Sequence, residues 1–304
     1  MKIIFMGTAE FAVPSLKLLL NNSYEIAAVI TAPDKPRGRG LLVSPSPVKA
    51  FASNFKLCIL QPLNLRSEEF INKITTIKPD LAIVVAFRIL PKELYSIPLY
   101  GSVNLHASLL PQYRGAAPIN WAIINGETQT GVTTFFIDES IDTGKIIEQR
   151  ICEILPEDNA GSLHDKLAVL GAETILSTVE KIRIAKGNLI LSEQDESKVS
   201  YAPKIFRKDC EISWNQESYR VHNFIRGLSP LPAAFCRIGS LTVKVLKSAL
   251  TDKISAGECG TFIVDSRRLF AACTDRLLEI VELKPEGRNV MSSAEFISGY
   301  KSLF

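Results

Sequence analysis

Three polar residues near the middle of the chain are of types suited to acyl-transfer chemistry. Asn104 and His106 flank Leu105 in the run SVNLH, and Asp142 follows in IDTG. If SVNLH is a strand, its side chains alternate, so Asn104 and His106 project from one face. A carboxamide N–H and an imidazole N–H can both donate to the oxyanion of a tetrahedral intermediate. A carboxylate beside the imidazole would fix its tautomer, favour its protonated form and accept a proton through water. Each residue also has a plainer role available. The Asn can cap a loop, the His can sit satisfied in a core, and Asp before a Gly-containing turn is common. A short pattern such as Asn-x-His recurs by chance, so the surroundings must decide.

The elements that would carry these residues alternate in type. Continuous apolar runs at Lys2–Met6, Ile26–Thr31, Leu57–Leu60 and Leu81–Ala86 suit strands buried on both faces, and helical patterns such as Ser67–Ile77 lie between them. Ser102–His106 reads as a further strand that ends in the turn at Pro111, which puts Asn104 and His106 at its carboxyl end. Open α/β sheets bind ligands at that edge. Thr130–Phe136 and Lys145–Ile154 read as a strand pair, and Ser162–Ile184 as a long helix. The alternation predicts an α/β domain with a Rossmann-like, mostly parallel sheet over residues 1–188. The polar stretch 189–206 lacks sustained periodicity and reads as a linker. From 207 to 304 a helix candidate at Gln216–Gly227 precedes strand-like segments at Ala233–Ile238, Leu241–Leu250, Gly260–Val264, Leu269–Ala272 and Leu277–Leu283. Short strands with turn signals between them predict a small, OB-like β-barrel.

Composition excludes several classes. Hydrophobic residues make up 46% and charged residues 22% of 304, the balance of a soluble globular chain. The apolar run of MKIIFMGTAEF stops at Gly7, too short for a signal peptide, and no stretch approaches the ~20 apolar residues of a membrane helix. The six cysteines form no C-x-x-C pair, so reduced thiols in a cytoplasmic protein are expected, with neither a metal site nor a disulfide framework. GTAEF after the first strand lacks the spaced glycines of a dinucleotide site. No Cys and no nearby Ser has an evident activating partner, so no covalent intermediate is expected.

A longer pattern surrounds the central residues. NLHASLLPQYRGAAPINWAI with downstream IDTG resembles the 10-formyltetrahydrofolate-dependent formyltransferases. The likeness extends to MGTAEFAVPSL and the TAPDKPRGRG…SPVK loop, densely to about residue 180 and more thinly after it. It implies 10-formyltetrahydrofolate as formyl donor, methionyl initiator tRNA as acceptor, and no metal. It also implies that Asn104, His106 and Asp142 are the catalytic residues. The folate is expected against Val85, Ala86, Phe87, Arg88, Ile89 and Leu90, against Ser108, Leu109, Leu110 and Pro111, and against the loop with Asp138 and Ile141. Ser108 and Arg114 are equally suited to bracing their loop. One departure stands out: the family commonly has an aromatic–Gly pair and a further residue before Leu-Pro, whereas this chain has AFRILP, with Arg88 directly after Phe87.

Net charge is +3, too small to identify a nucleic-acid binder, so any polyanion site must come from local clustering. The stretch 31–49 sets Lys35, Arg37, Arg39 and Lys49 against Asp34 alone and carries four prolines and two glycines in nineteen residues. A charge run is ordinarily a solvated face. A long loop in a compact domain, however, is usually functional or disordered, and this one leaves the sheet at its carboxyl edge. Its cations could grip acceptor-stem phosphates, and the resemblance points to Arg39. Lys204, Arg207 and Lys208 at the entrance to the C-terminal domain are further phosphate-contact candidates, as are Lys244 and Lys247. A monomer is expected. Two other readings remain open: a sister enzyme formylating a small amine or a nucleotide sugar or hydrolysing formyl-folate, and a non-catalytic RNA-binding protein with the same fold.

Overall fold

The computed structural model describes residues 1–37 and 42–303. They form two units. The first comprises residues 1–115, 130–152 and 164–201, the second 116–129, 153–163 and 202–304.

The first unit is built on a seven-stranded sheet. In chain order its strands are β1 (Lys2–Gly7), β2 (Glu25–Ile30), β3 (Ile59–Leu60), β4 (Leu81–Val85), β5 (Ser102–His106), β6 (Gln129–Phe136) and β7 (Ile146–Glu153). The spatial order is β7-β6-β5-β4-β1-β2-β3. Pairing is parallel from β3 through β5 and antiparallel between β5 and β6. The sheet is therefore mostly parallel, as its uninterrupted apolar runs predict. Ile3, Ile4, Phe5 and Met6 are fully buried, each such side chain contributing about 1.5–3 kcal/mol.

Helices α1 (Val13–Asn21), α2 (Pro47–Asn54) and α3 (Glu68–Ile77) lie in the crossovers, with α5 (Ala160–Ala185) following β7. α2 starts at Pro47 with Ser46 as its cap, accepting from the Lys49 N–H, the arrangement that satisfies an orphan helix donor. α5 fixes the face of the central strand. A Cβ on Gly171 would lie 2.6 Å from Leu105 Cδ2. Leu105 thus fills the face under α5, and Asn104 and His106 take the opposite one.

Two segments differ from their expected character. The stretch 31–49 contains a short antiparallel ladder pairing Lys35–Arg37 with Leu42–Ser44. The stretch 189–206, read as a linker for its polarity, is bonded to the first unit as far as Ser200. Ser192 bridges Ile146, and the Ser200 carbonyl accepts from the Arg114 N–H. Its polar residues have partners far away in sequence, which local periodicity does not register.

The second unit carries β8 (Ala234–Ile238), β9 (Leu241–Ala249), β10 (Phe262–Asp265), β11 (Arg268–Ala272), β12 (Leu277–Pro285) and β13 (Met291–Ser292). They form an antiparallel sheet ordered β8-β9-β12-β11-β10, with β13 on β12. Helix α6 (Ser218–Leu228) buries Val221, Ile225 and Leu228 in a core with Val243, Val245, Ile280 and Phe296. Helix α4 (Pro118–Ile124) packs on α6 at close range: a Cβ on Gly227 would meet Ile124 Cγ1 at 2.6 Å. Neither α4 nor α7 (Ser293–Gly299) is among the predicted helices, since seven residues are too few to show a period. The Ser292–Glu295 capping box that opens α7 is nonetheless legible in the sequence. All six cysteines are free. Burial pushes the Cys236 and Cys273 thiols up to about 12, which keeps them neutral. No helix among the described residues is long and apolar enough to cross a membrane.

His222, on α6, places Nδ1 2.9 Å from Ser248 Oγ. Burial, with a smaller push from the Arg226 charge, lowers its imidazole to about 4. The folded value lies below the unfolded one of about 6.5, so the fold favours the neutral ring. That contribution is intact above pH 6.5 and is lost as pH falls toward 4; across the span it amounts to at most about 3 kcal/mol. Urea midpoints measured from pH 7 to 4 should fall for the wild type and fall less for His222→Asn. Parallel curves would remove His222 as the cause.

Candidate active site

β5 delivers Asn104 opposite Val84 and Phe135, and His106 opposite Thr133. The loop that follows folds back over the strand end. His106 Nε2 lies 2.8 Å from the Tyr113 carbonyl, which can only accept, so this nitrogen carries a proton. Nδ1 faces Asp142 Oδ2 at 3.7 Å, with both side chains nearly buried (7% and 11% exposed). A proton on Nδ1 is thus directed at the carboxylate. The same Asp142 oxygen accepts from the Gly115 N–H at 2.9 Å. Asn104 is half-buried, and among the described residues nothing takes up its carboxamide. The site therefore offers one uncommitted amide donor next to an imidazole whose two nitrogens already face a carbonyl and a carboxylate.

Backbone geometry holds these groups in place. Tyr113 (φ 61°) and Asp142 (φ 58°) adopt left-handed conformations, which cost non-glycine residues about 1–2 kcal/mol and persist only where their surroundings enforce them. Buried Thr133 donates to the Ser108 carbonyl and accepts from the Leu110 N–H, and Gln149 Nε2 donates to both Thr133 Oγ1 and the Leu110 carbonyl. The fully buried Ser108 donates its hydroxyl to the Gln112 carbonyl at 2.6 Å. Arg114, 6% exposed, is held by Gln194 and by Glu196, whose carboxyl it keeps below the usual range. Both Ser108 and Arg114 brace the loop.

Sequence reasoning missed Gln194, Glu196, Gln149 and the supporting carbonyl of Tyr113. One signal was available for the first two: a buried arginine requires partners, and EQDE at 193–196 is one of the acceptor-rich runs in the chain.

The remaining expected folate residues fall in three places. Val85 ends β4 and is buried, and Ala86 beside it has φ 47°. The Arg88 guanidinium turns back to the Pro62 and Leu63 carbonyls at 2.9 and 3.2 Å and lies 5.3 Å from the Phe87 ring centre. Burial lowers its pKa from the ordinary arginine value. Ile89 and Leu90, with Leu63–Arg66, Arg88 and Pro91, line a cavity of about 430 Å³. Leu110 is buried against Phe135 and Ile146, whereas Leu109 and Pro111 are partly exposed. Asp138 accepts from the Ser140 N–H and the Thr143 hydroxyl, and Ile141 is exposed. Among the described residues no three His, Cys, Asp or Glu side chains gather into a metal-holding group.

Of the basic candidates, Lys35 is exposed and Arg37 pairs with Leu42 through its backbone. Arg39 lies outside the described residues. Lys49 is bonded to Asp34 at 2.5 Å, and Lys49 first, with Gln61 second, holds that carboxyl below its ordinary range. One of the four cations is thus already paired. Lys204, Arg207 and Lys208 are exposed, Lys204 lying 5.3 Å from the centre of the Phe206 ring.

The family model "Formyl transferase" matches residues 1–179, and "Formyl transferase, C-terminal domain" matches 204–301. A curated relative from Flavobacterium johnsoniae, named methionyl-tRNA formyltransferase, is 43% identical over 304 residues, covering 98% of this chain and 96% of its own. Among solved structures, an N-formyltransferase from Helicobacter canadensis, in complex with folinic acid and dTDP-3-aminofucose, superposes with a TM-score of 0.67 at 24% identity, over 92% of this chain and 98% of that one. HypX from Aquifex aeolicus, in complex with tetrahydrofolic acid, gives a TM-score of 0.67 at 16% identity over 98% of this chain and 47% of that one, so this chain spans about half its length. At these identities the structural likeness shows the fold alone.

Proposed function

The chain belongs to the formyl transferase family, and from that premise we propose that it moves the formyl group of 10-formyltetrahydrofolate to the methionine amine of initiator methionyl-tRNA. The observation that carries the chemistry is the uncommitted Asn104 carboxamide beside the His106–Asp142 pair at one strand end. The acceptor rests on the name of the near full-length curated relative.

The amine attacks the formyl carbon, the carbonyl becomes a tetrahedral oxyanion, and the folate nitrogen leaves with a proton. Asn104 Nδ2 donates to the oxyanion, the largest kind of single contribution in acyl transfer. His106, with Asp142 behind it, stands at the same place and can donate directly once its ring yields a bond to Tyr113 or Asp142. Asp142 accepts the amine proton through water and keeps the ring oriented. The folate lies along the backbone of 85–90, 108–111 and 138–142, where Ile89 and Ile141 are large exposed apolar side chains. The basic stretch 31–49 and the cations at 204–208 take the tRNA. The enzyme acts in the cytoplasm as a monomer.

Purified protein with formyl-folate should formylate initiator methionyl-tRNA and spare the elongator form. Equal transfer to water, a nucleotide amino sugar or another small amine would refute the acceptor assignment. Arg39→Ala should raise KM for tRNA and flatten its dependence on salt, each phosphate contact contributing about 0.9 to the slope for a duplex. A variant with unchanged KM and slope would return the 31–49 stretch to a solvated surface.

A further inference from the structure

The segment 180–203 lies outside both family-model matches, yet it supports the His106–Asp142 pair. The Gln194 carboxamide has all its bonds committed. Nε2 donates to the carbonyls of Asp142 and Gly144 at 2.8 and 2.9 Å, and Oε1 accepts from Arg114 Nη2 and Nε at 2.8 and 3.1 Å. Arg114 in turn sits between Tyr113, whose carbonyl holds His106, and Gly115, whose N–H holds Asp142. Six residues further on, Ser200 Oγ accepts from the Tyr113 N–H at 2.9 Å. One side chain thus links the backbone that presents Asp142 to the backbone that holds both members of the pair.

We propose that Gln194 is a positioning residue for formyl transfer, setting the Asp142 carboxylate against His106 while making no contact with substrate; this rests on the function proposed above. Asp142 has reason to need it. Its backbone is left-handed, a conformation few non-glycine residues adopt, and the Nε2 bonds grip the carbonyls at that residue and two beyond it. Misplacing a reacting group by about 1 Å can cost about 10²-fold in rate.

The test is a cycle of variants. Gln194→Met keeps the side chain's length and removes every bond. Gln194→Glu keeps the acceptor for Arg114 and removes the two donors, and it carries the test alone if the first variant does not fold. Each should lower kcat about 10–100-fold while leaving KM for folate and tRNA within about 3-fold. In an Asp142→Asn background the further loss should be under about 3-fold, because both changes act through one carboxylate. A second reading does not use the reaction at all. With three histidines in the chain, the His106 13Cε1–1H NMR correlation can be assigned, and it should move in Gln194→Glu while those of His164 and His222 stay. Unchanged kcat, full additivity with Asp142→Asn, a change confined to KM, or an unmoved His106 signal would each overturn the proposal. Should the wild type prefer another amine, the cycle is run with that amine, so failure of the acceptor reading stays separate from failure of this one.

Discussion

Asn104→Ala is expected to lower kcat for formyl transfer by about 10²–10³-fold with little change in KM for folate or tRNA. The charge it meets exists only as the formyl carbonyl becomes tetrahedral, so its loss falls on the transition state. The structure sharpens the expectation, because Asn104 is the site's uncommitted donor whereas His106 already faces Tyr113 and Asp142. Asn104→Asp should be as damaging, since it puts an acceptor where a donor is needed. His106→Ala and Asp142→Asn should each fall in the same range, and the pair combined should lose little more than either alone, as groups acting as a unit do. Rapid-quench formylation with binding measured separately distinguishes kcat from affinity. An Asn104→Ala enzyme within about 3-fold of the wild type would refute the oxyanion role.

Gly144→Ala is expected to have a comparably large effect through packing. A Cβ there would lie 1.6 Å from the Phe136 carbonyl oxygen and 3.1 Å from Phe135 Cδ2. Neither neighbour can give way readily, because Phe135 is buried and the Phe136 N–H is bonded to the Lys145 carbonyl across the same turn. The turn must therefore lift, taking with it the carbonyl that Gln194 holds and, two residues earlier, Asp142. Overpacking of this kind costs about 1–3 kcal/mol, and the displaced carboxylate should reduce kcat about 10²-fold or more. Gly257→Ala is the control, since nothing lies within 4 Å of its Cβ. It should match the wild type in urea midpoint and turnover. A Gly144→Ala protein with wild-type turnover would show that the 137–145 turn does not position the site.

Part of this site is legible from local pattern and part is not. Leu105 between Asn104 and His106 places both on one face by alternation alone, a property of any extended backbone. The apolar runs at β1 and β4 announce strands covered on both sides, and that layout puts the end of β5 at the ligand-binding edge. Asp142 is different: its approach to His106 depends on a turn 36 residues away folding against the end of β5. Nothing local to either residue encodes that meeting, and only the long likeness to a known family suggested it.

The polar stretch after residue 188 shows the same division more sharply. Its sequence has no period and many hydrophilic side chains, so local physics reads it as a tether. What keeps Gln194 and Glu196 in place is a buried guanidinium 80 and 82 residues earlier in the chain. The cost of leaving that charge unpaired sets their position. By itself, then, the sequence determined the order and type of the elements, the shared face of Asn104 and His106, and the class of chemistry those residues can perform. The tertiary structure alone decided which imidazole nitrogen meets Tyr113, which faces Asp142, and which distant segment secures them. Elements follow from spacing along the chain, whereas hydrogen bonds and ion pairs between remote residues exist only once the fold has brought them within about 3–4 Å of each other.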